Sequence, residues 1–537
     1  RRPHAPPPCA AMGARRRGTS AKASPDAEPT TTEAPRGRGS LKAPALIACA
    51  AATGAAAALA LGPPAGRTPD REAWGYLIET GEEGAEPDGW EPAGGHLLDG
   101  VARCNIDRQR VCGSSIDHAD SHMRCLNASA FRGQYLHQRP VLLSGLMDGW
   151  PARRVWRKGP LLKAYGERLI PVASSAEYIF KGGLSSKNMP LRAALSALAE
   201  DPSLFVFDSR VTDFYMDDFH LPHLLSTLSP PPGERSRTDG EGERKAWHML
   251  SLGGDKSGLG WHMHGATWIG LVHGRKRWAL YAPGTATGSE RGNPLYGSRE
   301  WFERVYPTLP EGRLPLECTQ EPGEILYLPG AWAHLTMNLG EAIGVGAQVS
   351  WKPVDDEPVK LAASGGYPEA QMLLGEWEGR EDLLAKAAAS HPMAFSEKLS
   401  YVEHLMRTAT EPSPKRRRKV SGKSPEVRKA VRALEQVLEP IGRAVESGAM
   451  TRTMAAAVTT QASQLYRSLG NALRERGPLD SALATSRQSL EYIPTPWGYA
   501  AASAVTRQLH MREASEEYLR ACLELSEGAD FCRTSGL

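Results

Sequence analysis

The chain lacks a charge bias. Its 64 Lys and Arg against 61 Asp and Glu leave a formal net charge of +3, so it carries no general nucleic-acid footprint and no nucleic-acid partner is expected. It has eight cysteines but no Cys-x-x-Cys pair, which excludes zinc-ribbon and thioredoxin-type motifs. Cys104, Cys112 and Cys125 lie close together, as do Cys522 and Cys532. That grouping suits disulfides in an oxidising lumen, and it suits reduced buried thiols almost as well. The sequence also lacks an initial Met; Met12 is a candidate start, with Arg1–Ala11 as translated upstream sequence. What is present, 537 residues at 41% hydrophobic and 23% charged, describes a globular protein too long for one core.

Residues 1–42 are basic, poor in apolar side chains, and expected to be disordered. Ala43–Gly62 is then uncharged throughout, long enough as a helix to cross a bilayer core. Positive charge before it and Pro63-Pro64 after it fit a signal anchor or signal peptide; an organelle transit peptide is the competing reading. A signal anchor implies a single-pass type II protein whose remainder lies in the endoplasmic reticulum lumen. Residues 63–103 read as a Gly/Pro/Glu linker. Asn127-Ala128-Ser129 is a glycosylation sequon, used only if the location is luminal. Pro414–Val420, with Lys415-Arg416-Arg417-Arg418-Lys419, argues the other way. It resembles a nuclear import signal, or else is a solvated basic linker, and it makes the nucleus the alternative location.

Arg139–Leu146 reads as a short apolar strand closed by a turn and residues 204–208 as a buried strand, and strands with Gly and Pro turns between them continue from Trp247 to about Trp351. Many short strands of this kind argue for a sandwich or barrel, expected over 104–354. Beyond Pro353 the apolar spacing becomes helical, over Asp382–Ala389, Phe395–Thr408 and Val427–Val445. Residues 355–425 therefore read as a helical linker with a basic run. Tyr466-x-x-Leu469-Gly470-x-x-Leu473 with Ala482 and Pro494, and then Ala514-x-x-x-Tyr518-x-x-Ala521, resemble tetratricopeptide repeats over 426–537. A plain helical bundle is the alternative.

Within the strand region Trp261-His262-Met263-His264-Gly265 stands out. If this segment is extended, His262 and His264 share one face, because side chains two apart on a strand point the same way. Ile325–Leu328, the turn at Pro329-Gly330 and a second strand bring in His334. Imidazoles from separate strands are a plausible metal site, although a bare His-x-His pair is more often accidental. Lys276 sits in an apolar strand before Trp278, Leu280 and Tyr281, and alternation puts it on the face opposite Arg275 and Arg277. A lysine buried there is costly unless paired.

Residues Gly260–Gln348 resemble a JmjC (jumonji C) domain. The resemblance rests on His262-x-His264, Gly274–Pro283, Pro322–Pro329, Trp332-Ala333-His334 and Asn338-Leu339. Arg139-Pro140-Val141 through Trp150-Pro151 and Trp156 also resemble the start of such domains. It implies an α+β chain: a double-stranded β-helix (jelly-roll, cupin-like) followed by the all-α tail. It further implies Fe(II) on His262, His264 and His334, and 2-oxoglutarate held at its far carboxylate by Lys276, with Gln348 as a further polar contact. The chain departs from the family at His264, where a carboxylate is usual. Three histidines also suit zinc. The function expected is a protein hydroxylase whose turnover is in question. A silent scaffold binding a protein substrate or partner through its helical repeats, and a nuclear demethylase, are the alternatives.

Overall fold

Among the described residues ten strands form the core, in the order β1-β2-β9-β7-β10-β6-β5-β3-β4, with β8 on β7. They are β1 (Asp107–Arg110), β2 (Val141–Ser144), β3 (Leu169–Ser174), β4 (Lys187–Pro190), β5 (Leu204–Asp208), β6 (Ala246–Gly253), β7 (Thr267–Tyr281), β8 (Leu316–Gln320), β9 (Ile325–Leu328) and β10 (Ala333–Val349). The structure, a computed structural model, describes residues 88–92, 104–112, 125–181, 187–208, 216–220, 223–225, 246–286, 288–349, 356–410, 421–525 and 532. The candidate membrane segment Ala43–Gly62 and the basic run Pro414–Val420 lie outside these residues. Among the described residues, no helix is long and apolar enough to cross a membrane.

The long strands β7 and β10 make the barrel. Fifteen residues of flat strand would span about 50 Å, so β7 bends instead, and β10 bends with it. Leu339 faces Arg275 and Ile343 faces His273, so the register slips between them. The slip falls at Gly274 (φ +78°) and Gly340 (φ +82°). A Cβ at Gly274 would strike the Glu341 carbonyl, and its positive φ suits glycine. Before the bend, Thr267–Gly270 pairs with β9; after it, Lys276–Leu280 pairs with β8. On its other edge β10 pairs with β6 only beyond the bend, from Ala342 to Val349. The two strands thus pass from one sheet to a second, which is the jelly-roll-like arrangement expected.

Segment Cys104–Arg110 seals the seam between β8 and β2. β1 runs parallel to β2, Asn105 N donates to Glu317 O at 3.0 Å, and Cys104 is disulfide-bonded to Cys318 of β8. Cys112 pairs with Cys125 and Cys522 with Cys532.

The helices that follow in chain order are α1 (Ala128–Gln134), α2 (Ala152–Val155), α3 (Lys158–Tyr165), α4 (Ser175–Lys181), α5 (Leu191–Glu200), α6 (Gly288–Arg291) and α7 (Ser298–Arg304). Beyond the barrel come α8 (Asp356–Ser364), α9 (Pro368–Glu378), α10 (Glu381–Ala388), α11 (Phe395–Thr410), α12 (Pro425–Leu438), α13 (Ile441–Glu446), α14 (Arg452–Leu473), α15 (Arg476–Tyr492), α16 (Pro496–Gln508) and α17 (Arg512–Leu525). The single helix expected over Val427–Val445 is two. Pro440 has no N–H to give and its ring blocks the preceding turn, so α12 stops at Leu438 and α13 starts at Ile441. Helices α8–α10 are not a free-standing connection. Val359, Ala362, Leu373, Leu374 and Leu383 share an apolar cluster with Trp261 and Tyr281 of the barrel. The last four helices form two hairpins, whose close approach is marked by Ser463 Oγ donating to Ala482 O at 2.7 Å and Ser503 Oγ donating to Ser515 O at 2.9 Å. Val427, Ala430 and Leu434 of α12 pack into the same cluster as Met454, Val458 and Leu469 of α14.

Candidate metal centre

His262 and His264 are not on a regular strand, as an extended reading of Trp261–Ala266 would have them. One isolated antiparallel bridge joins His262 to His334, through His262 N to His334 O at 3.0 Å and His334 N to His262 O at 2.9 Å. Ala331 N then donates to His264 O at 3.1 Å. This suffices to turn both rings toward His334 at the start of β10. The ring centroids are 4.1 Å (His262–His334), 4.6 Å (His264–His334) and 5.3 Å (His262–His264) apart.

The second nitrogen of each ring fixes its proton. Nδ1 of His262 meets Gly260 O at 2.8 Å, Nδ1 of His264 meets Gly265 O at 2.8 Å, and Nδ1 of His334 meets Trp332 O at 2.9 Å. A carbonyl oxygen only accepts, so each Nδ1 carries the hydrogen and each Nε2 keeps a lone pair for a metal. One ligand atom from each ring lies within 4.8 Å of the other two. Burial keeps the rings neutral: the pKa falls to about 4 at His262 and about 3 at His264. At His334 burial, aided by the two neighbouring rings, pushes it well below the usual value. Among the described residues no carboxylate joins this group. Asp255, the nearest acid upstream in sequence, accepts instead from Gly340 N at 2.8 Å, at the bend of β10.

Directly opposed residues of a ladder share a face. His334 faces Leu280, Thr336 faces Trp278 and Asn338 faces Lys276. Lys276 therefore lines the same side as His334, four residues or about 13 Å along the strand. It is 1% exposed, and its Nζ donates to Ser251 Oγ at 3.1 Å and lies 5.3 Å from the centre of the Phe205 ring. Burial pushes its pKa down to about 7. Opposite it, Asn338 Nδ2 donates to Ser257 Oγ at 3.1 Å while its buried Oδ1 has no hydrogen-bond partner among the described residues. Between the two ends lies Trp278, 6.2 Å from the His334 ring by centroids and oriented by Nε1 donating to Gln320 Oε1 at 2.9 Å. Gln348 faces Trp247 and Thr267. It stands two pairs beyond Gly346, and Gly344 faces Ser251, so Gln348 is on the Ser251 side of the sheet, at the far end of the ladder.

Bent jelly-roll strands, a histidine triad on the segment before β7 and at the start of β10, and a buried lysine on β7 together resemble JmjC oxygenases. Known proteins agree. The chain is 31% identical over 268 residues to lysine-specific demethylase JMJ21 of Arabidopsis thaliana, and 29% identical over 266 residues to JmjC domain-containing protein 8 of Homo sapiens. It is a JmjC-domain protein. A third relative, 2-oxoglutarate and iron-dependent oxygenase JMJD4 of Gallus gallus, is 24% identical over 302 residues. These matches cover 45%, 48% and 50% of this JmjC-domain protein and 26%, 89% and 68% of the relatives respectively. The chain thus spans about a quarter of the plant demethylase it matches. No family model matches.

Several participants carry no sequence signal. Ser251 and Phe205 reach the lysine from other strands, and only the sheet order brings them there; Ser257, beyond β6, reaches Asn338. Asn338 stood within a quoted motif, but nothing in the sequence pairs it with Lys276. Asn127 is exposed, and its Oδ1 caps α1 by accepting from Ala130 N at 2.8 Å.

Proposed function

We propose that the barrel is a protein hydroxylase site dependent on Fe(II) and 2-oxoglutarate. His262, His264 and His334 would hold the metal and Lys276 the far carboxylate of 2-oxoglutarate. The observation that carries this is the shared face: metal-ready Nε2 atoms at one end and an under-paired buried cation at the other. Bound iron supplies the activation of dioxygen that, with loss of carbon dioxide from the 2-oxo acid, oxidises a substrate. The chain's own part is positioning. The three Nδ1–H···O=C bonds hold the ligand rings, and Ser251 Oγ holds the lysine tip. Burial of Lys276 makes an arriving carboxylate its natural partner. Trp278 and Leu280 keep the space between them apolar.

A second reading is favoured by His264. A carboxylate ligand would cancel one unit of the metal's charge; three neutral imidazoles cancel none, which raises the reduction potential and suits zinc with a bound water. The barrel is then a silent scaffold, and the two helical hairpins, tetratricopeptide-like in sequence, hold a protein partner. Purified protein with Fe(II), ascorbate and 2-oxoglutarate should form succinate under the first reading, with one metal per chain that His334→Ala removes. Bound metal without succinate selects the scaffold; no bound metal in the wild type sinks both.

A secretory-lumen location, anchored through Ala43–Gly62, is supported by the three disulfides, which persist in oxidising compartments. A glycosidase-sensitive mass shift lost in Asn127→Gln would bear it out; nuclear accumulation of the tagged full chain would overturn it in favour of Pro414–Val420.

A further inference from the structure

The metal segment is anchored from outside the barrel. Arg291, the last residue of α6, is 8% exposed. Its two terminal nitrogens donate to both carboxylate oxygens of Glu369 on α9. Its Nη2 also donates to the carbonyl of Trp261 at 3.4 Å, and its guanidinium lies 4.3 Å from the centre of the Tyr367 ring. Trp261 directly precedes His262, and its own ring packs against Tyr281 and Trp301, each 5.1 Å away by centroids. On the other side, Gly260 N donates to Ser175 Oγ at 2.9 Å.

These contacts add to a sparse, irregular pairing with β10. The segment is no regular strand: one bridge to His334, with Thr336 N donating to Leu259 O at 2.9 Å before it and Ala331 N donating to His264 O at 3.1 Å after it, sets its register. The direction of the His262 ring depends on the peptide planes of Gly260 and Trp261, since Gly260 O holds its Nδ1. A planar guanidinium gripped bidentately by a carboxylate is a rigid anchor, unlike a flexible ammonium. The same carboxylate comes from a helix beyond the barrel.

We propose that Arg291 and Glu369 are positioning residues for the metal centre, so that α9 of the post-barrel helices is part of the site's frame. This rests on reading the triad as a metal site. Outer groups that orient metal ligands typically govern affinity by about 10–100-fold, and that is the effect expected here.

The test uses the full chain with Co(II) as probe, since its visible spectrum reports ligand geometry. Glu369→Gln removes the counter-charge without changing shape, and Arg291→Lys keeps the charge while losing the fork. Both should weaken Co(II) binding by roughly 10–100-fold in a chelator competition and alter the visible spectrum, with Arg291→Lys the milder. A role in folding alone would lower the melting temperature and leave affinity and spectrum of the folded fraction unchanged. Folded variants that bind Co(II) within twofold of wild type, with the same spectrum, overturn the proposal. Should the variants fail to fold, hydrogen exchange on the wild type decides. By reciprocity, Co(II) must slow exchange in 368–378 more than in 512–525; equal or no slowing overturns it. If the wild type binds no Co(II), the metal reading itself has failed and takes this inference with it.

Discussion

Strand β7 carries two adjacent buried cations, and its two faces treat them differently. Arg277 and Lys276 are each 1% exposed. Arg277 is saturated. Its Nη2 and Nε donate to Glu317 Oε2 at 2.6 and 3.1 Å, its guanidinium lies 4.2 Å from the Phe302 ring centre, and Tyr306 OH donates to the other oxygen of Glu317. Lys276 has a serine hydroxyl and a phenyl ring, and burial alone lowers its pKa. Desolvating a charge is offset only by good partners. The saturated face is architecture, whereas the other face leaves Lys276 with a hydroxyl and a ring and no counter-charge among the described residues.

That contrast can be broken in four ways. The largest effect is in pH. Lys276 gives up its proton near pH 7 in the folded chain and near 10.5 when unfolded. Between those values the unfolded chain binds more protons, so stability rises with pH across the window and is level outside it. The wild-type minus Lys276→Met difference in urea unfolding free energy should therefore climb by about 5 kcal/mol from pH 7 to 10.5. A flat difference curve would place Lys276 in contact with water or an acid. Next, Glu317→Ala strands Arg277 and should cost about 3–5 kcal/mol at pH 7, whereas Lys276→Met stays within about 1.5 kcal/mol of wild type or exceeds it. Equal losses would erase the distinction between the faces. Third, Lys276→Met should weaken 2-oxoglutarate binding by about 1.5–3 kcal/mol, a single charged hydrogen bond, in calorimetry on metal-loaded protein; Arg275→Met should not. Smallest is a proton count: at pH 8 binding should take up about one proton, because a carboxylate restores the charge on Lys276. Calorimetry in two buffers of different ionisation enthalpy reads it, and Lys276→Met should show none.

The sequence disclosed what depends on local spacing. His262, His264 and His334 were visible through His-x-His and the strand–turn–strand around Pro329-Gly330, and Lys276 through alternation against Arg275 and Arg277. The strands at 141–144 and 204–208 followed from short apolar runs. What it withheld is assembled across distance. Ser251 meets Lys276 from a different strand, Glu369 reaches Arg291 from 78 residues away, and Cys104 bypasses its neighbours for Cys318, 214 residues on. No local pattern encodes such partners. The regular strand expected at Trp261–Ala266 is reduced to one bridge at His262–His334, flanked by single bonds from Thr336 N to Leu259 O and from Ala331 N to His264 O. At Pro440 the stop was in plain view, but the apolar spacing carried across it.

The Cys104–Cys318 bond has a consequence for how the chain is made. During synthesis Cys104 emerges long before its partner, and Cys112 and Cys125 emerge within reach of it first. Those three thiols can pair among themselves while β8 does not yet exist. The native pairing therefore requires Cys104 to wait as a thiol, or to be freed from an earlier partner, until nearly the whole barrel has left the ribosome. Once closed, the ring of 214 residues restricts the unfolded chain by about 5 kcal/mol in the loop-entropy picture. Closing the seam thus waits until β8 has been made, and if Cys104 has paired earlier it proceeds by thiol–disulfide exchange.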